Sequence, residues 1–143
     1  MKVFLILAVL IVTACTSVST KETLYSSFSN YTLVANDGNI QDLSPLYFSP
    51  SLLKNKNLNN PSVSGQLLFK DYMVRTFNRF EKIDGGVGCL TINGFDSDET
   101  PLAFNIEYVE IDERWLIKAI DVLFLEDGFE LSNMAKCPFE YIN

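Results

Sequence analysis

The sequence contains no histidine. That absence removes the commonest general base, the commonest metal ligand and every Ser-His or Cys-His nucleophile pair. Cysteine is scarce: three in 143 residues, none in CxxC spacing, so a tetrahedral zinc site has no ligand set. Positive charge is short as well. Eleven Lys and Arg stand against 18 Asp and Glu, for a net charge of −7. A phosphate backbone needs a clustered cationic footprint, so no nucleic-acid partner is expected. The chain lacks internal repeats and low-complexity tracts, and its longest apolar run, Val3 to Val12, falls short of the roughly 20 residues that span a bilayer. What is present, 48% hydrophobic and 20% charged residues, is the composition of one globular domain, since chains divide at roughly 100–200 residues per domain.

The N-terminus reads as an address. Met1-Lys2 is a short positive region, Val3 to Val12 an apolar core and Thr13-Ala14 a small-residue cleavage site, which together make a secretory signal. Val12-Thr13-Ala14-Cys15 resembles the bacterial lipobox. The resemblance implies removal of residues 1–14, acylation of Cys15, a tether over 15–19 and one folded domain over 20–143. The alternative is an ordinary signal peptide cut near Ala14, leaving a free cysteine. Two or more acyl chains make a stable membrane anchor where a single chain is marginal. Thr16, in place of the Asp that retains such proteins at the inner membrane, implies the outer membrane, facing the periplasm. With Cys15 lipidated, Cys89 and Cys137 remain as a pair in an oxidising compartment, so a disulfide is expected. Two separate buried thiols are the alternative.

Hydrophobic spacing organises the rest. Thr20 can cap a helix on which Leu24, Phe28, Tyr31 and Ala35 share a face, with Gly38 of Asn36-Asp37-Gly38 in the left-handed position that stops it. Ile40, Leu43, Leu46 and Tyr47 mark a second, shorter helix, and Phe48-Ser49-Pro50-Ser51-Leu52-Leu53 a turn into another short helical piece. Residues 55–65 read as a loop. Phe69, Met73, Phe77 and Phe80 then predict a third helix over Gln66 to Lys82, ended by Asp84-Gly85-Gly86, with Phe69 and Phe77 packing the sheet. Beyond it the period falls to two. Val87 to Phe95, the run containing Leu102, Phe104, Ile106 and Tyr108, and Arg114 to Leu125 predict three strands separated by polar turns. The C-terminal segment carries Cys137, which would pin it to the strand of Cys89.

Helices followed by an antiparallel meander make an α+β fold, with N-terminal helices packed on one face of a curved antiparallel sheet. Two phrases add a resemblance. Asn36-Asp37-Gly38-Asn39-Ile40 leading to Leu46-Tyr47-Phe48-Ser49-Pro50-Ser51-Leu52-Leu53 is similar to the helical opening of nuclear transport factor 2-like domains. Tyr108-Val109-Glu110-Ile111-Asp112-Glu113-Arg114-Trp115-Leu116-Ile117 is similar to their late hairpin. The resemblance implies a conical, half-open sheet with a pocket on the concave side, and in catalytic members an Asp or His that transfers protons there.

No catalytic residue, metal or cofactor is expected from these residues. The candidate pocket groups are Tyr108, Trp115 and Asp121, the last being the only carboxylate embedded in an apolar strand. If that strand is regular, Asp121 shares a face with Trp115, and burial would raise its pKa toward that of a base. A bulge near Lys118-Ala119 would instead swap the parity, turn Ile120 and Val122 to the core and leave Asp121 solvated. Asp96-Ser97-Asp98-Glu99 alternates carboxylates like a calcium loop but lacks its glycine and remaining ligands, so it reads as a hairpin tip. Gly85-Gly86-Val87-Gly88 is followed by no Lys-Ser or Lys-Thr and is a turn rather than a phosphate loop. The function expected is a lipid-anchored binding or assembly module without catalysis. Its partner is the membrane through the anchor, an envelope protein, or a small apolar ligand in the cone, with Asp121 as the group for any proton-transfer chemistry.

Overall fold

A computed structural model describes residues 22–140. The signal segment, Cys15, the tether and Thr20 lie outside the described residues. The elements run α1 Leu24–Val34, α2 Ile40–Tyr47, α3 Pro50–Leu53, α4 Pro61–Ser64 and a 3-10 segment Gly65–Tyr72. Then come β1 Arg75–Asp84, β2 Val87–Phe95, β3 Pro101–Ile111 and β4 Arg114–Phe124, with a last 3-10 turn at Gly128–Glu130. All four strands form one antiparallel meander in the order β1-β2-β3-β4. The class is α+β, with helices preceding the sheet.

Thr23 caps α1, accepting a hydrogen bond from the Ser26 amide, and α1 has no acidic residue in its own first turn. Glu81 of β1 supplies one from across the fold, accepting from the Leu24 and Tyr25 amides at 3.2 and 3.0 Å. Two orphan amides and the positive helix end are answered by one carboxylate. The helix stops at Ala35 in extended backbone. Gly38 is not the left-handed residue expected there, because the turn is closed by side chains: the Asn36 amide group and Asn39 accept from the Gly38 and Asn36 backbone amides. Pro45 inside α2 removes one helical donor, and Ser44 Oγ donates to the Gln41 carbonyl so freed. Ser49 caps α3 at Pro50, as the Ser-Pro spelling implies. Its own amide donates to Ile117 O, where Phe48 bridges to β4.

The third predicted helix is not there. Residues 66–72 lie in the 3-10 segment Gly65–Tyr72, but 75–84 are strand β1. Phe69 is buried, whereas Phe77 is 61% exposed and does not pack the core. Thr76, Phe77, Phe80 and Ile83 are aromatic or β-branched, types that fit a pleated surface. The two glycines after Asp84 are the loop of a hairpin whose pairing begins at Asp84 and Val87, with Gly85 at φ +59°. Pairing with β2, whose two faces are both covered, outweighs an accidental helical spacing.

On the helix side of the sheet lie Leu90, Ile92, Leu102, Phe104, Ile106, Tyr108, Trp115 and Ile117, all in the core with Leu24, Phe28, Tyr31, Phe48 and Phe69. Tyr31 stacks on Phe69 at 5.7 Å and Phe69 meets Phe104 edge-on at 5.2 Å, geometries that aromatic quadrupoles favour. Gly88 lies directly under Leu24. At Gly94 an added Cβ would meet the Arg75 carbonyl oxygen and the Met73 thioether, and the carbonyl is backbone that cannot swing away. Gly94→Ala is expected to destabilise the fold by about 2 kcal/mol or more, measured as a fall in the urea midpoint; an unchanged midpoint would show that β1 does not approach so closely.

Candidate binding surfaces

The three expected pocket groups are not brought together. Tyr108 and Trp115 are buried on the helix side. Trp115 Nε1 donates to Glu22 O at 3.1 Å, and Ser27 Oγ donates to Trp115 O, so this indole fastens the chain where it enters the domain. Asp121 stands on the other face. The register of β3 with β4 shifts between Glu107, opposite Ala119, and Tyr108, opposite Ile117, so Lys118 is the extra residue of a bulge. Beyond it Ile120 and Val122 pack against the core, and Asp121, opposite Asn105, accepts a hydrogen bond from the Phe139 amide. One inserted residue turned the carboxylate away from the helix side of the sheet.

The helix side of the sheet is filled. Tyr31 donates its hydroxyl to the Leu67 carbonyl, while the Tyr108 hydroxyl, fully buried, finds no partner among the described residues. Burial pushes both phenols well above their ordinary pKa, with the Asp71 charge adding to the effect at Tyr31 and the Tyr31, Glu81 and Glu22 charges at Tyr108. Both are protonated core groups at neutral pH. A cleft of about 400 Å³ opens to solvent between α1 and the segment entering β1, walled by Tyr25, Thr32, Lys70 and Met73, with Phe28 and Phe104 at its floor. Lys70 reaches Asp71 at 2.6 Å. Sequence reading missed this cleft because Lys70, Met73 and Thr76 were assigned to a helix that does not form; no motif marks it.

The outer face of the sheet is polar and roofed. Residues 132–139 cross it as a strap. Lys136 N donates to Thr91 Oγ1 at 2.8 Å, Asn93 Nδ2 donates to Ser132 O at 2.7 Å, and Cys137 is disulfide-bonded to Cys89 with Cα atoms 5.0 Å apart, inside the range a disulfide spans. Beneath it Thr91 donates to Asn105 Oδ1, and Asn93 donates to Asn78. Asn93 Oδ1 and Asn105 Nδ2 are buried without partners among the described residues. The strap brings little apolar surface in exchange: Pro138 is buried, but Met134 and Phe139 are mostly exposed.

The acidic run at 96–99 is the tip of the β2–β3 hairpin. Asp96 Oδ1 accepts from the Asp98 and Thr100 amides, both at 2.8 Å, and Glu99 pairs with Arg75. Among the described residues no three His, Cys, Asp or Glu side chains are grouped to hold a metal ion, and no helix is long and apolar enough to cross a membrane. Comparison with known proteins finds no match among protein-family models, curated proteins or solved structures.

Proposed function

We propose that this chain is a lipid-anchored protein of the bacterial envelope, held by acylated Cys15 at the outer membrane, whose single domain is a nuclear transport factor 2-like cone used for binding or assembly rather than catalysis. The observation that carries the non-catalytic part is the division of the candidate groups. Tyr108 and Trp115 are consumed by the core, and Asp121 holds the strap on the opposite face. A proton-transfer site needs its acid or base within hydrogen-bond reach of one reacting atom, and these groups lie on two sides of a sheet.

Support for the anchor comes from the lipobox-like spelling and from cysteine parity, which leaves Cys15 alone once Cys89 and Cys137 are bonded. Glu22 is fastened to Trp115, so the stretch from Cys15 reaches at most about 25 Å at roughly 3.5 Å per residue. The domain would ride close to the lipid surface. A second reading, a small apolar ligand, is favoured by the cleft over Phe28 and Phe104, whose size lies within the range of small-molecule sites.

Cys15→Ser is the test of the anchor. In cells fed a labelled fatty acid, the wild-type chain is expected in the membrane fraction carrying label, and the variant unlabelled. Label retained on the variant would sink the proposal.

A further inference from the structure

The sheet has two edges, and one of them is covered at a single point. β4 is covered where Ser49 N donates to Ile117 O at 2.8 Å and Phe48 bridges to Ile117. β1 has no backbone partner on its outer side among the described residues, and all of its residues but Asn78 and Phe80 are exposed. An open strand edge is a template for another strand. We infer that β1 pairs antiparallel with β1 of a second copy of this chain about a twofold axis at Phe80, joining two sheets into one.

Parity and charge select that register. The hairpin pairing begins at Asp84 and Val87 and continues through Lys82 with Cys89, Phe80 with Thr91 and Asn78 with Asn93. In an antiparallel ladder closed by a two-residue turn, alternate residues bond to the partner strand, here 84, 82, 80 and 78. The amides and carbonyls of Arg79, Glu81 and Ile83 therefore point outward. A second β1 must bond through the same odd-numbered residues, so symmetric registers differ in steps. One sets Arg79 opposite Arg79 of the other copy, a second sets Glu81 opposite Glu81, and the one between them sets Arg79 opposite Glu81 twice. Like charges facing across a ladder repel and opposite charges attract, so the intermediate register wins. It places Phe80 against Phe80 in the non-hydrogen-bonded position, where side chains come closest, and Asn78 against Lys82. The register shift between Thr76 and Asn78 ends the ladder on one side and limits it to a short contact. Arg79 already lies 3.8 Å from the Tyr25 ring centroid and Glu81 caps α1, so both charges are held in place before a partner arrives. The contact is isologous and closes after two copies, which distinguishes it from open edge-to-edge aggregation.

The test uses the full chain carrying Cys15→Ser, so that an introduced thiol has no third cysteine to react with. Phe80→Cys is expected to give a disulfide-linked dimer on mild oxidation, and Ile83→Cys, whose opposite residue is not another position 83, to do so at least about tenfold more slowly. In sedimentation, Arg79→Glu alone and Glu81→Arg alone are each expected to weaken self-association about tenfold or more, and their equimolar mixture to restore it, because every facing pair is then again of opposite sign. Glu81→Arg also removes the α1 cap. The Phe80→Cys and Arg79→Glu measurements leave that cap untouched and decide the matter without it. A chain that stays monomeric, equal cross-linking at positions 80 and 83, or an Arg79→Glu variant that self-associates as tightly as the wild-type chain would overturn the proposal.

Discussion

Replacing Cys89 and Cys137 by serine is expected to cost the fold about 4 kcal/mol, the chain-entropy value for a loop closed over a sequence separation of 48. For a small domain with a total stability of about 5–15 kcal/mol this is a large fraction. The polar outer face explains why so much should rest on one bond. Thr91, Asn93 and Asn105 are fully buried there, two of their amide atoms have no partner, and the strap's Met134 and Phe139 point largely outward. Hydrophobic burial therefore contributes little to holding residues 132–139, and water would satisfy the orphan amide atoms as soon as the strap lifted. Urea unfolding of the double serine variant should show the lower midpoint. Amide exchange should quicken first in the strap, while the amides of β2 and β3 stay protected. A midpoint shift worth less than about 1 kcal/mol would mean that non-covalent contacts hold the strap unaided.

The second large effect appears in alkali. Tyr31 and Tyr108 have pKa values raised by burial, so the folded chain keeps two protons that the unfolded chain surrenders near pH 10. A raised folded-state pKa contributes stability that is fully present below the unfolded value and is lost as pH rises toward the folded one. The unfolding free energy is expected to be flat in these two groups up to about pH 9.5. Above pH 10 it should fall by about 1.4 kcal/mol per pH unit for each tyrosine. Tyr108→Phe should remove one share of that slope and, because the hydroxyl it deletes is unpartnered, leave neutral-pH stability unchanged or raised by about 1 kcal/mol. Denaturant titrations at pH 8, 10 and 11 would check both; a Tyr108→Phe chain several kcal/mol less stable at pH 8 would show the hydroxyl to be bonded after all.

How far the sequence could be read depended on whether a pattern had one physical cause or two. Val87–Phe95 and Pro101–Ile111 were legible because Leu90, Ile92, Leu102, Phe104, Ile106 and Tyr108 alternate with polar or small residues on the other face of the sheet, and the polar turns around them are unambiguous. The Cys89–Cys137 pairing was expected only once Cys15 was assigned to a lipid anchor in an oxidising compartment, and the two cysteines are bonded. Phe69, Met73, Phe77 and Phe80 satisfied a helical period by accident, and only the need of β2 for a second neighbour decides that Arg75–Asp84 is a strand. The same holds for Gly38: Asn36 and Asn39 do by side-chain hydrogen bonds what a left-handed glycine does elsewhere. Asp121 was undecidable in principle, because one extra residue at Lys118 reverses every side chain that follows. The α1 cap was invisible for a different reason, since Glu81 lies 57 residues from the amide of Leu24 that it serves.

The claim on which the functional account rests is that the chain is an anchored envelope protein, and its N-terminal peptide reports on that directly. Mass spectrometry of the protein extracted from its native membranes is expected to find a first residue Cys15 bearing a diacylglyceryl group on sulfur. A chain beginning at another residue, or at Cys15 with its thiol unmodified, would contradict the account.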